Sequence, residues 1–568
     1  MESNEILELM SKVTVSHAWH LPVAAAYCNA INLRGVINEI VCCNMRTTPG
    51  DIVQAMVLDT LSGRSPLYHL QEFMEDIDIE LLVGHDYPPE SFSDTNVDRA
   101  MDAIFKAGLS RIITEMGYSA AKVFSIDCST GSYDTTSTSV WGDYLREEDN
   151  APSIVHGHSK DRHPELKQFM TELLCVERGV PMLGGTLNGN ASDKKNNNVI
   201  LSRVSSFLAR HKIKEEAFTY IADSALVTPD NLAKLSKIRF ITRLPGTYNV
   251  CGELITNAVL ENNWEELGQL AELPSPASRP TSSYRSYEGT VEIDNVAYRA
   301  IVIHSNSHEK RVLKRIEKGK SKSKAAIEKS LSKAQTEYYC EADARTAAIS
   351  CETLSDGIHD VKISVREKSV PGRGRPSKNS EKRMESRFVV ETELVENSAG
   401  IQRMTDEAGC FVLLTNIPVE EGEKSHTAAE ILKSYKGQYG VESNFGFLKD
   451  PLIVNDLFLK KPSRIDVLGM VLIISLLVWR LVERNMRNYI ATTGKELPGW
   501  NKGKTTRPTA YMMKTKFHGI KVARIGSERA LAGKLRPEVS AYLEALGLDE
   551  RVFTTPGVKC KAILRTEA

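Results

Sequence analysis

Between Tyr435 and Lys449 the chain reads YKGQYGVESNFGFLK, a stretch whose residue types and spacing bear directly on chemistry. At about 100° per residue on an α-helix, Gln438, Glu442 and Lys449 fall within a roughly 60° arc that begins at Tyr435. A phenol, an amide, a carboxylate and an ammonium would then face one polar object, and a metal-bound phosphate backbone suits all four. Phe445 and Leu448 flank the stripe and supply an apolar edge for packing. An ordinary amphipathic helix with a solvated Glu/Lys face has the same pattern. Two upstream segments weigh against that plainer reading. Tyr133-Asp134-Thr135-Thr136-Ser137 sits in a β-rich run from Val123 to Trp141. In Tyr220-Ile221-Ala222-Asp223-Ser224-Ala225 a short apolar strand ends in an aspartate, just before a helix opened by Thr228-Pro229-Asp230. Three isolated carboxylates at such positions, Asp134, Asp223 and Glu442, point to one site.

The elements that must position them follow from the patterning. Residues 1–115 read as a helical N-terminal domain, in which Thr48-Pro49-Gly50-Asp51 opens a helix over Ile52 to Leu61. No basic cluster marks it as a DNA reader, which leaves a dimerisation module or a structural support. Beyond the β-rich run come strands at Gln168–Glu177 and Val180–Leu187, joined by a tight turn at Arg178-Gly179. Asn190-Ala191-Ser192-Asp193 is a capping cluster for a helix running to about His211. A strand at Ala217–Asp223, a short helix and a strand at Ile238–Arg243 follow. Three strands, helix, strand, helix, strand is the order of a ribonuclease H-like fold, which carries acids on its first and fourth strands and on a later helix. Asp134 and Asp223 occupy the first two of those slots.

Nearly 200 residues separate Arg243 from Glu442, so residues 244–410 read as an insertion domain. It has strands of its own at Gly289–His304, Asp360–Val370 and Arg387–Val395, with a basic helical stretch between the first two. Phe411–Thr415 returns to core-like β character. The expected architecture is therefore α/β. A helical N-terminal domain precedes a ribonuclease H-like core in two parts, 116–243 and 411–495, interrupted by a mixed α+β insertion domain and followed by a C-terminal tail region, 496–568.

Composition narrows the function classes. The 568 residues are 41% hydrophobic and 26% charged, ordinary globular material with room for roughly three or four domains. Ten cysteines without a CxxC, and the lack of HExxH or an N-terminal signal pattern, lead to the expectation of reduced thiols in a cytoplasm and no structural zinc. The longest apolar run, Val467 to Trp479, is 13 residues, short for a bilayer of about 30 Å hydrocarbon, and reads as a buried core helix rather than a membrane anchor. Net charge is −1, but it is unevenly spread. Asp51 to Arg99 is acidic, whereas Lys310 to Lys333 carries ten Lys/Arg against two acids, either a solvated face or a tract for a DNA backbone.

Taken together, three blocks carry a family resemblance. They are YDTTSTSVWGDY around Asp134 with GHSKDRHPELKQF at Gly157 to Phe169, GNASDKK with YIADSALVTPDNL around Asp223, and YKGQYGVESNFGFLKDP around Glu442. In that order, over residues from about 120 to 490, the chain resembles an insertion-sequence transposase of the DDE class, closest to the IS4-like superfamily and its IS1634 group. The superfamily's third-acid signature is Tyr, two residues, Arg, three residues, Glu, six residues, Lys. This chain has Tyr435, Gln438, Glu442 and Lys449 at those spacings, with glutamine in place of arginine. Glutamine donates a hydrogen bond but neutralises no phosphate, so a cationic clamp at 438 is lost.

The resemblance implies that Asp134, Asp223 and Glu442 are catalytic and hold two Mg²⁺ ions, with Mn²⁺ as a substitute, about 3.5 to 4 Å apart on a phosphodiester. It implies cleavage of double-stranded DNA at transposon ends, strand transfer into a target, and a homodimer in the DNA complex. Tyr435, Gln438 and Lys449 would contact DNA, and Lys160 and Arg162, in the polar loop Ser159–His163, would add backbone contacts. Alternatives stay open for several residues. Asp127 shares the β-rich segment with Asp134, although only Asp134 has the YDTTS context. Asp161 makes the loop a candidate self-paired turn, and His156 and His158 lack a third ligand at metal spacing. Gly372-Arg373-Gly374-Arg375-Pro376 is like the core of an AT-hook but serves equally as a linker. A nuclease that never joins strands, or a catalytically silent DNA-binding relative, would share most of these features.

Overall fold

The computed structural model describes residues 12–63, 69–144, 148–177, 179–270, 281–371, 384–421, 424–450 and 459–564. Arg178 and the segment Gly372–Pro376 lie outside the described residues. The chain divides into two compact units, Met1–Thr242 with Ser434–Ala568, and Arg243–Lys433.

Three N-terminal helices build much of the first unit's core: α1 (Pro49–Ser62), α2 (Asp94–Ala107) and α3 (Leu109–Phe124). The expected start of α1 is present: Thr48 accepts from the Asp51 amide, Asp51 closes the reciprocal bond, and Pro49 takes the first turn where no amide is needed. Five neighbouring strands follow: β1 (Thr130–Val140), β2 (Lys167–Val176), β3 (Val180–Leu187), β4 (Thr219–Ile221) and β5 (Arg239–Arg243). Their spatial order is β3-β2-β1-β4-β5, antiparallel in the hairpin half and parallel from β1 to β5. The helix α4 (Asp193–His211) lies between β3 and β4 in the chain. Burial along nearly the whole of β2 matches its place as an interior strand.

The run Val467–Trp479 is the centre of a longer element, α6 (Pro462–Thr493), preceded in the chain by α5 (Tyr439–Leu448). By length and composition α6 reaches a membrane span, contrary to the length read from the apolar run, but most of its apolar window is buried inside the unit. It packs on α1, α2, α3 and β3. At its start Arg464 grips Asp102 on α2 with two hydrogen bonds, 2.9 and 3.1 Å, and pairs with Asp98 at 2.5 Å. α1, α2 and α3 thus share a core with α6. The C-terminal region is also folded in: Thr14–His17 pairs with Lys521–Ile525, which pairs with Glu528–Leu531.

This C-terminal hairpin is locked by charge. Arg529, nearly fully buried, meets the buried Asp78 at 2.7 Å and Glu80 at 2.6 Å. Arg529→Ala leaves Asp78 with the Leu81 amide at 3.0 Å and the longer 3.6 Å ion-pair contact from Arg524. It should destabilise the unit by about 3 kcal/mol in chemical denaturation, the usual cost of removing one partner of a buried pair. An unchanged unfolding midpoint would show that water replaces the guanidinium without penalty.

The second unit has two sets of antiparallel strands. Glu265–Gln269, Ser283–Ile293, Val296–Ser305 and Cys410–Thr415 pair in that order, and Glu337–Tyr338, Met384–Glu396 and His359–Pro371 form the other. What reads as one strand from Gly289 to His304 is a hairpin, because Asp294 and Asn295 both take positive φ (51° and 62°) in a two-residue turn. The unit takes in the strand Cys410–Thr415, of which the sequence assigns Phe411–Thr415 to the second part of the core. Its longest helix, Asn306–Leu331, covers the basic stretch.

Candidate active site

The register of the parallel strands brings two of the three acids together. Ser132 on β1 lies opposite Ile221, the last residue of β4; Asp134 follows two residues on in β1 and Asp223 two residues past the end of β4, near enough for the charge of Asp223 to act on Asp134. They stand at the C-terminal end of β4, the edge where parallel strands present ligand-binding groups. Asp134 accepts a hydrogen bond from the Thr135 amide at 2.7 Å. Asp223 caps a short 3₁₀ turn, accepting from the Ala225 amide at 3.0 Å, while the Thr242 hydroxyl donates to its carbonyl at 2.7 Å.

A third carboxylate joins them that the sequence assigns only to a cap. Ser192, not Asp193, precedes α4, and it makes no side-chain cap bond. Asp193 begins the helix and accepts from the Thr135 hydroxyl at 2.6 Å. Its signal in the sequence was its place in GNASDKK directly before a helix, where a carboxylate also meets the positive end of the helix dipole. Burial is the main reason that Asp134 is pushed up to about 6; Lys160 and the Thr135 amide oppose this, and the charges of Asp223 and Asp193 add to it. Burial likewise raises Asp223, opposed by the Ala225 amide and Lys160 and reinforced by Asp193.

Lys160 is the cation of this pocket rather than a free arm for DNA. Its ammonium donates to the Thr135 carbonyl at 2.7 Å and the Thr135 hydroxyl at 3.0 Å, and lies 3.7 Å from Asp193. Its own amide donates to Ser137 at 2.9 Å. The loop that delivers it is pinned by a bridge between Val155 and Gln168 and by close backbone approach at Gly157, where a Cβ would sit 2.1 Å from the Gly189 carbonyl oxygen. Arg162 is exposed, with a left-handed backbone (φ 64°). Asp161 pairs with Lys449 at 2.6 Å, so the loop is held to the residue just beyond α5.

Tyr435, Gln438, Glu442 and Lys449 do not share one helix. The helix Ala428–Lys436 ends, Gly437 and Gln438 form a turn, and α5 starts at Tyr439. Glycine at 437 is a poor helix residue, and the turn lets Gln438 reach inward. Gln438 is buried, its amide donating to the Tyr133 carbonyl at 3.4 Å, directly beside Asp134. Asn444, fully buried, donates to the Gly179 carbonyl at 2.7 Å and accepts from Arg480 of α6 at 2.6 Å. These contacts hold α5 against β1 and β2. Glu442, one turn after Gln438, is exposed.

Among the described residues no set of three His, Cys, Asp or Glu is gathered so as to hold a metal ion. Asp134 and Asp223 nonetheless fit a hard divalent cation, being neighbouring oxygen donors, with Asp134 burdened by the charge of Asp223 and both by that of Asp193. Glu442 is not drawn in with them. Asp127 is exposed and accepts from the Ser129 amide at 2.8 Å, a local turn outside the pocket. His156 and His158 are exposed.

Residues 13–118 match the model of a family described as a domain of unknown function, DUF4277. None of the curated proteins matches the chain. Among solved structures, the chain is similar to a piggyBac transposase in a synaptic complex with hairpin DNA, determined by cryo-EM. The two share 8% identity at a TM-score of 0.35, covering 81% of this chain and 73% of the other, and a likeness at that level carries no argument about activity.

Proposed function

We propose that this chain is a transposase-type enzyme that cuts DNA at insertion-sequence ends and joins the freed ends to a target, with Asp134 and Asp223 as its metal-holding acids and Glu442 as the third catalytic acid. The observation that carries the reading is the proximity of Asp134, within β1, to Asp223, just past the end of the neighbouring parallel strand β4, close enough for the charge of Asp223 to act on Asp134. The strand order β3-β2-β1-β4-β5 supports a ribonuclease H-like core, and the DUF4277 match supports a transposase-related chain.

Asp134 and Asp223 would hold Mg²⁺, which when bound supplies Lewis-acid polarisation of a phosphodiester and an activated water or 3′-hydroxyl. The protein's own part is positional. The Thr135 and Ala225 amides fix the two carboxylates, and Lys160 offsets their repulsion. Gln438 and Asn444 hold α5 so that Glu442 faces solvent one turn from the Gln438–Tyr133 contact. Lys449 is positioned to exchange Asp161 for a DNA phosphate.

Purified protein incubated with labelled terminal inverted repeats, Mg²⁺ and a target plasmid should yield end-to-target joined products. Nicked ends without joining would instead assign a nuclease, and no cutting at all would overturn the enzymatic reading.

A further inference from the structure

The helix Asn306–Leu331 in the second unit segregates its charges by face. Taking about 100° per residue, Arg311, Lys314, Arg315, Lys318 and Lys322 fall within a roughly 100° arc. The buried Ile316 and Ile327 point the opposite way, into the unit. All five cations are exposed, and they line one shallow groove with Gly319. The helix's acids lie off this stripe: Glu317 pairs with Lys320 at 3.5 Å, Glu328 with Lys324 at 4.0 Å, and Glu309 meets His304 at 3.5 Å. Among the described residues no acid pairs with any of the five.

We propose that this stripe is a binding surface for the phosphate backbone of duplex DNA, separate from the acid pocket and indifferent to base sequence. From Arg311 to Lys322 the helix rises about 16 Å at 1.5 Å per residue. One DNA strand presents about five phosphates over that length at 3.4 Å each, matching the five cations. A solvated helix face normally interleaves acids with its lysines, which this stripe does not. A membrane-surface helix needs large apolar side chains beside its cations, and the residues on this face beyond the stripe are Ala325, Ala326 and Lys329. The choice of duplex DNA over other polyanions rests on the DNA-handling reading above.

The test measures binding of the full chain to labelled duplexes over a series of salt concentrations, in EDTA so that no cutting occurs. Arg311→Ala/Arg315→Ala/Lys322→Ala should make the slope of log K against log salt shallower by roughly 2 to 3, and should weaken unrelated sequences alike. Arg311→Lys/Arg315→Lys should keep the wild-type slope, which separates loss of charge from loss of folding. Equal slopes for wild type and the triple alanine variant would overturn the proposal, as would a loss confined to single-stranded RNA. A wild-type chain that binds no duplex overturns this and the proposed function together. A changed slope in a protein that never cuts DNA with Mg²⁺ overturns only the latter.

Discussion

Replacing Asp134 by asparagine should abolish Mg²⁺-dependent cleavage, by about 10³-fold or more, while making the protein more stable at neutral pH. The first effect is the loss of a carboxylate that holds the ion, worth several kcal/mol in the transition state. The second follows from the pocket's own charge. Asp134 has an ordinary value of 3.8 and is pushed up to about 6 by burial and by Asp223 and Asp193. A raised folded value means that the protonated form is favoured on folding. Its stabilising contribution is complete below about pH 4 and is lost as pH rises through about 6. At pH 7.5 the wild type therefore carries a destabilised anion, and asparagine, neutral and able to accept the same Thr135 amide, does not.

The rise from 3.8 to about 6 corresponds to at most about 3 kcal/mol, or an increase of several degrees in Tm when the charge is removed. Scanning calorimetry in EDTA should show the variant melting above wild type at pH 7.5, with the difference shrinking toward pH 4. Excess Mg²⁺ should raise Tm for wild type much more than for Asp134→Asn, because ligand binding to the folded state alone is stabilising. An equal or lower Tm for the variant at pH 7.5 would contradict the electrostatic account. Retained cleavage would remove Asp134 from the site.

Glu442→Ala should lower cleavage as deeply, about 10³-fold, but without any gain or loss of stability beyond a few tenths of a kcal/mol. The side chain is exposed, and among the described residues it has no hydrogen-bond or ion-pair partner, so nothing in the fold depends on it. DNA binding in EDTA should be unchanged. The comparison variant is Asp193→Ala, because Asp193 already lies with the other two acids through Thr135. Under the present assignment Asp193→Ala weakens cleavage mildly, by loosening Thr135 and Lys160. The reverse ranking, with Asp193→Ala inactive and Glu442→Ala active, would make Asp193 the third acid and Glu442 a solvated helix residue.

Much of the first unit was legible because its patterns are local. The cap at Thr48 and Asp51, the turn that separates β2 from β3, and the apolar run in α6 each rest on residues near one another in the chain. The errors lie where local pattern gave way to tertiary contact. A 60° stripe from Tyr435 to Lys449 assumed one helix, and the turn at Gly437-Gln438 broke it so that Gln438 could bond β1. The apolar run in α6 understated the helix because Arg480 and Glu483 beyond it are satisfied inside the fold by one another, at 2.6 Å. Asp193 was hidden because a capping aspartate and a pocket aspartate have the same local signature.

The sequence alone determined which residues can do chemistry: an aspartate within a β-rich run, another ending a short strand, a Glu and a Lys seven apart, and a concentrated basic tract. Residue type and period are properties of neighbouring positions, and they survive without knowledge of the fold. Which of those groups meet was decided only in three dimensions. Strand register set Asp134 beside Asp223, and loop closure over Gly157 set Lys160 among them. The side of α5 that the buried Asn444 chose left Glu442 toward solvent. Those outcomes depend on contacts between residues far apart in the chain, whose partners no local pattern can name.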